Sequence, residues 1–239
     1  MSGQCGSHGL FSKALRDHCT VRPLPSPKRD PRPRIDVRGI GISFAARLII
    51  LVIPMSDSSH DLQLPSEWVC RFAPLIAAEG RVLDVACGRG RHARHLRECG
   101  YRVIAIDRDA AALETLRGLD RVEPVVADIE SEPWPYAAGT FDGVVVTNYL
   151  CRPLLPHLVA ALREGGVLIY ETFALGNENF GRPANPNFLL RRNELLEWLM
   201  PQLDVVAFEQ GLVSRPKPAV VQRICAVREG RRWSLLEPG

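Results

Sequence analysis

Between Arg81 and Val227 short runs of β-branched and other apolar residues alternate with stretches whose apolar positions recur every three or four residues. This is the pattern of strand–helix units wound around a mostly parallel sheet. The apolar runs predict strands over Arg81 to Val85, Arg102 to Ile106, Glu123 to Ala127, Asp142 to Thr147, Val167 to Thr172, Val205 to Gln210 and Val220 to Val227. The helical periods predict Ser66 to Ala78, Arg91 to Cys99, Ala110 to Arg117, Pro153 to Arg163 and Asn193 to Leu199. Trp68, Phe72, Leu75 and Ile76 share one face of the first helix, which Pro74 is expected to kink or divide. The Pro- and Gly-bearing connection from Gly211 to Pro218 has no room for a helix, so the last two strands are expected to pair as an antiparallel hairpin. The expected fold class is α/β: a doubly wound, seven-stranded sheet, mostly parallel, with an antiparallel C-terminal hairpin.

The segment before this pattern has a different character. Residues 1 to 54 carry nine basic and three acidic side chains, a local charge of +6. The whole chain of 239 residues has a net charge of +3, so residues 55 to 239 carry −3. A nucleic-acid argument from overall basicity therefore does not apply to the folded part. From Arg22 to Arg38 proline alternates with charge, which opposes helix propagation and offers little apolar surface. The apolar run Leu48 to Ile53 is interrupted upstream by Arg47 and stopped by Pro54, short of the roughly 20 residues a spanning helix needs. Residues 1–54 thus read as a disordered or spurious basic, Pro-rich extension ahead of a second possible start at Met55, in preference to a secretion, membrane or mitochondrial signal. No membrane partner is expected.

With 46% hydrophobic and 24% charged residues the chain is neither disordered throughout nor collagen-like. Its seven cysteines are scattered without a C-x-x-C pair, so no metal site and no disulfide framework is expected, and a reducing, cytoplasmic location is. His92 and His95 read as exposed or boundary side chains in place of metal ligands.

The informative stretch is RVLDVACGRGRHARHL, residues 81 to 96, a strand followed by a glycine-bearing turn and a helix. Such a turn presents backbone N–H groups and Cβ-free surface at the carboxyl end of the sheet, where open α/β sheets bind ligands. Gly88, Gly90 and Ala93 also satisfy G-x-G-x-x-A, so an NAD(P)-dependent oxidoreductase is one reading. Asp84 separates the alternatives. A carboxylate beside a pyrophosphate is repulsive, whereas it attracts the ammonium and sulfonium of S-adenosylmethionine by about 4 kcal/mol at 4 Å and an effective dielectric near 20, before desolvation. Asp107 ends the next strand, 23 residues on, where a carboxylate accepts from ribose hydroxyls in either class of nucleoside ligand.

On these residues the chain resembles the class I S-adenosylmethionine-dependent methyltransferases over about residues 62 to 228, and in its C-terminal half the small tellurite-resistance and thiopurine-type members. The resemblance implies a Rossmann-like fold for a methyltransferase domain over 55–239, with S-adenosyl-L-methionine as cofactor. The family's D-x-G-x-G turn reads Asp84, Ala86, Gly88, with Gly90 after it; Ala86 replaces a glycine, and no positive φ is expected there if the turn starts later. Carried over residue by residue, Asp84, Ala86, Gly88 and Gly90 hold the methionine end, Asp107 and Arg108 the ribose and adenine edge, and Asp128 and the Ile129 amide the adenine. Asn148 lies beside the methyl group, with Tyr149, Arg182 and Asn185 as substrate contacts and Tyr170 or Glu171 at the base of that pocket. Asp142 is expected to be structural, and Gly165 and Gly166 to turn helix into strand. The absence of Pro-Pro-Tyr or Pro-Pro-Phe after Asn148 argues against the amino-directed nucleic-acid and protein-amide methyltransferases. The resemblance implies a small soft or polar acceptor under a lid of residues 174 to 192. No catalytic residue is assigned, because a sulfonium methyl needs alignment more than it needs a protein nucleophile or metal. A non-catalytic cofactor-binding subunit remains the alternative outside the enzymes.

Overall fold

The computed structural model describes residues 64–229. The basic segment, the apolar run and both candidate starts at Met1 and Met55 lie outside the described residues. Seven strands form one sheet: β1 (Arg81–Val85), β2 (Arg102–Asp107), β3 (Val122–Val126), β4 (Phe141–Thr147), β5 (Leu162–Phe173), β6 (Asp204–Val213) and β7 (Ala219–Val227). Their order is β3-β2-β1-β4-β5-β7-β6. The first five are parallel, and β7 runs antiparallel between β5 and β6. The expected fold class is the observed one, and the strand order reverses between β1 and β4, the switch point at which open α/β sheets take ligands.

Among the described residues five short helices cover the sheet: α1 (Glu67–Phe72), α2 (Arg91–Glu98), α3 (Ala110–Glu114), α4 (Leu155–Ala161) and α5 (Glu194–Leu199). Alternation along the strands feeds two cores. Val82, Val103, Val145 and Ile169 pack on one face with Trp68 and Phe72 of α1 and Ala93 and Leu96 of α2. Leu83, Ile104, Val144 and Leu168 pack on the other with Leu158 of α4 and Leu195 of α5. β4 is buried at every position, as a central parallel strand must be.

The differences from expectation have local causes. The first helix divides at Pro74, with α1 passing into a 3-10 turn over Ala73–Leu75. α3 stops at Glu114, where the Thr115 hydroxyl bonds back to the Ala112 carbonyl. The segment expected to stay helical to Arg163 is extended from Leu162, and β5 starts there. Gly165 at φ +73° lies inside the strand's irregular start, where the register against β4 shifts, and its N–H donates to the Arg228 carbonyl; it does not turn helix into strand. Asp142 accepts from the Arg81 amide and pairs with Arg163 at 3.0 Å, tying β4 to its neighbours at the end of the sheet remote from the switch point.

Candidate active site

The site grows from the turn between β1 and α2. Asp84, the penultimate residue of β1, is 1% exposed, and neither carboxyl oxygen has a hydrogen-bond partner among the described residues. Burial pushes its pKa up to about 7. The full unit charge expected from the sequence is therefore only partly present at neutral pH without a cationic partner. Ala86 has φ +51°, so the turn begins there, against the expectation of an ordinary backbone. The Cys87 amide still donates to the Ile106 carbonyl of β2, so this left-handed residue falls before the last contact between the two strands.

The two glycines serve different ends. The Gly88 amide donates to Asp107 Oδ2 at 2.7 Å, and Asp107 Oδ1 accepts from the Asp109 amide, so the carboxylate at the tip of β2 is held by backbone on both sides. Gly90 has φ +74°, and a Cβ there would lie 2.5 Å from the Leu116 side chain; its role is close packing of the α2 start.

A cavity of about 390 Å³ opens over the carboxyl ends of β1 to β4. Of the sequence candidates, Ala86, Asp107, Arg108, Asp128, Ile129 and Asn148 line it. Tyr149 lines it too, with its hydroxyl donating to Glu130 at 3.1 Å and its pKa raised by burial and by the Cys151 and Glu130 groups nearby. Asp84, Gly88 and Gly90 lie behind the lining. Asp128 also holds its own turn, accepting from the Glu130 amide at 3.1 Å. The expected lid contributes Pro183 and Phe188 to the wall, whereas Arg182 and Asn185 are not in it; Asn185 instead caps a 3-10 turn by accepting from the Asn187 amide. Tyr170 is fully buried and donates to the Tyr149 carbonyl, so it supports the wall from behind and is not at the base of a pocket.

A second cavity of about 260 Å³ lies beside the first, over β4, β5 and the C-terminal hairpin. The two share Asn148 and Phe173. Glu171 lines the second one, where its Oε1 accepts from the Ser66 hydroxyl at 2.9 Å and its Oε2 from Arg223 at 3.4 Å. Asn148 has φ +55° and its amide donates to the Glu171 carbonyl, which fixes the corner between the cavities.

His92 corrects the sequence reading. It is 1% exposed, takes the Ser66 amide on Nε2 at 3.1 Å and meets the Thr147 hydroxyl at Nδ1, 3.2 Å away. Accepting at Nε2 requires the neutral ring's proton on Nδ1, which donates to Thr147. Burial and the neighbouring Arg91 push its pKa down to about 3. The clue in the sequence was periodic: His92 lies three residues before His95 but one before Ala93 and four before Leu96, on the edge of the apolar stripe of α2. The contribution of Ser66, Arg91, Arg215, Lys217 and Arg223 to the second cavity had no motif to announce it, because four separate chain segments converge there. Among the described residues no group of three His, Cys, Asp or Glu side chains is arranged to hold a metal. No helix among them is long and apolar enough to cross a membrane.

Comparison with known proteins agrees with this geometry. Residues 82–166 match the profile of the methyltransferase domain family. Protein-L-isoaspartate O-methyltransferase of Chlorobaculum tepidum is 40% identical over 105 residues, covering 41% of this chain and 47% of that protein. Malonyl-[acyl-carrier protein] O-methyltransferase of Serratia marcescens is 35% identical over 101 residues, 41% of this chain and 40% of that one. The chain thus spans less than half the length of these curated relatives. Among solved structures, TehB from Haemophilus influenzae superposes with a TM-score of 0.55 at 20% identity, over 68% of this chain and 61% of that one. The Burkholderia thailandensis 1,6-didemethyltoxoflavin-N1-methyltransferase, solved with 1,6-didemethyltoxoflavin and S-adenosylhomocysteine, gives 0.53 at 21% identity, over 72% and 80%. At these identities the structural likeness concerns the fold.

Proposed function

We propose, from the premise that this chain carries a class I S-adenosylmethionine-dependent methyltransferase domain, that it transfers a methyl group by in-line displacement to a small acceptor. The observation that carries the reading is the pair of adjoining cavities sharing Asn148 and Phe173. One runs along the β1–β4 ends past the Asp107 and Asp128 carboxylates, and the other opens beyond Asn148 over β5 and the hairpin. A nucleoside lying in the first would bring its far end to Asn148, where an acceptor in the second is within line of attack.

The residues fit the cofactor. The orphaned Asp84 carboxylate is a buried acceptor lacking a donor, and an ammonium supplies one. Asp107, held by the Gly88 and Asp109 amides, retains lone pairs for ribose hydroxyls, and the half-buried Asp128 on the same cavity wall is placed for the adenine end. When bound, the cofactor supplies an electrophilic methyl group on a sulfonium. Asn148, Phe173 and the Phe188 side of the lid then orient the acceptor and exclude water. Both of these relatives are O-methyltransferases, which supports an oxygen acceptor. The small combined volume favours a small molecule over a nucleic acid.

Calorimetric titration with S-adenosylhomocysteine and, separately, NADH tests the cofactor. Micromolar binding of the homocysteine nucleoside, lost in Asp107→Ala, is expected; binding of NADH alone would overturn the reading. Transfer of label from the methyl-labelled cofactor to small acceptors tests the reaction, and its absence beside normal cofactor binding would favour a non-catalytic subunit.

A further inference from the structure

The acceptor cavity differs in charge from the domain around it. Residues 55–239 have a net charge of −3, yet the cavity wall carries Arg91, Arg215, Lys217 and Arg223 against Glu67 and Glu171, a local excess of +2. These cations are not equivalent. Arg223 is committed to Glu171 and Glu209, and Arg91 lies close enough to Asp84 and Glu171 for both to act on it. Arg215 and Lys217, on the β6–β7 connection, have no hydrogen bond or ion pair among the described residues. Two uncommitted cations at the mouth of a cavity form an electrostatic funnel for an anion.

Among the described residues, the wall of the same cavity carries no histidine, cysteine or tyrosine to take a proton. Its carboxylates are Glu67 at the exposed start of α1 and Glu171, whose two oxygens already accept from Ser66 and Arg223. His92 is close behind, but both ring nitrogens are engaged and it is sealed from solvent. A thiol, phenol or protonated amine acceptor would need such a base; a group already ionised at neutral pH would not.

Resting on the methyltransferase reading above, we infer that the acceptor is a small carboxylic acid, bound as its carboxylate by Arg215 and Lys217 and converted to a methyl ester. In the step, a carboxylate oxygen forms the bond to the methyl carbon as the carbon–sulfur bond breaks. The bonding pair stays on sulfur, the sulfonium becomes the neutral thioether of S-adenosylhomocysteine, and no proton moves. The positive wall gathers the acid and Asn148 marks where it meets the methyl group. An ester product has lost the charge that held it, which favours release.

The test uses the full chain. Protein saturated with S-adenosylhomocysteine is titrated calorimetrically with short mono- and dicarboxylic acids and with their primary amides. The labelled cofactor is turned over with the same acids and with thiols, phenols and amines, and product label is examined for release as methanol in mild alkali, which esters give and ethers, thioethers and amines do not. Carboxylates are expected to bind and amides not. Arg215→Ala and Lys217→Ala should each weaken carboxylate binding and kcat/KM by roughly tenfold or more, with S-adenosylhomocysteine affinity unchanged. Carboxylate binding should also weaken as salt rises. Normal cofactor binding with label only in alkali-stable products, with label only in protein-borne carboxyl groups, or with no carboxylate bound or methylated would overturn this inference and leave the methyltransferase reading standing. Failure to bind S-adenosylhomocysteine would overturn both.

Discussion

Asp84 and His92 lie eight positions apart, both buried, and burial favours the neutral form of each. Their effects on stability have opposite signs. Asp84's pKa rises on folding from an unfolded value near 3.8 to about 7, so its contribution is full below pH 4 and is lost as pH climbs to 7. His92's pKa falls from about 6.5 to about 3, so its contribution is full above pH 6.5 and is lost as pH falls toward 3. Each contributes a slope of about 1.4 kcal/mol per pH unit, and between roughly pH 4 and 6.5 the two cancel. Replacing Asp84 by Asn removes one of them. From pH 4.5 to 6.5 the variant's urea-unfolding free energy should then rise by about 3 kcal/mol relative to the parent's, and equal slopes would disprove the contribution of Asp84. Since an ammonium partner favours ionised Asp84, S-adenosylhomocysteine should bind more tightly as pH rises toward 7 and release protons in buffers of different ionisation enthalpy. Ala86 lies on the same turn at φ +51°, a conformation that disfavours a Cβ by about 1–2 kcal/mol, partly offset by the 0.5–1 kcal/mol entropic cost of glycine. Ala86→Gly should therefore stabilise the protein by about 0.5–1 kcal/mol, read as a higher urea midpoint at unchanged slope.

Strands and helices were legible in the sequence to within a few residues because each follows from its own hydrophobic period, and the motif residues on β1, β2 and the β3 end were legible because spacing along a strand fixes which end they occupy. Connections were not. The stretch after β5 reads as a lid, but its anchor is a long-range ion pair. Arg152, just before α4, donates to Glu194 at 2.8 and 3.1 Å and to the carbonyls of Asn187 and Leu189, while Glu194 also accepts from the Arg191 amide. Asn177 completes the hold, donating to the Pro183 carbonyl and accepting from the Val220 amide. Glu194 is 0% exposed, and although burial raises its pKa, the hydrogen bonds from Arg152 and the Arg191 amide more than reverse this. Nothing in a single sequence pairs residue 152 with residue 194. Glu194→Ala strands the Arg152 guanidinium among carbonyls and should destabilise the domain by about 3 kcal/mol. Because the pair ties the lid and not the sheet, trypsin should cut the variant first at Arg191 or Arg192; an unchanged digestion pattern would place the lid's stability elsewhere.

At the scale of the whole molecule the charge is divided unevenly along the chain. The +6 of residues 1–54 and the −3 of residues 55–239 combine into a mildly basic average that describes neither. The cavities gather charge of opposite kinds within the acidic part: the carboxylates Asp107 and Asp128 toward β2 and β3, and the uncommitted Arg215 and Lys217 toward the hairpin. Cofactor recognition on this arrangement depends on groups within a few ångströms, since charges farther apart than the Debye length of about 8 Å at physiological salt are screened when exposed. The basic segment should therefore govern association with polyanions and leave cofactor affinity unchanged. A chain beginning at Met55 should bind S-adenosylhomocysteine within about twofold of the full chain, while losing the retention that the full chain shows on a sulfated polysaccharide resin at low salt. A drop of tenfold or more in cofactor affinity on removal of residues 1–54 would show that the segment completes the site.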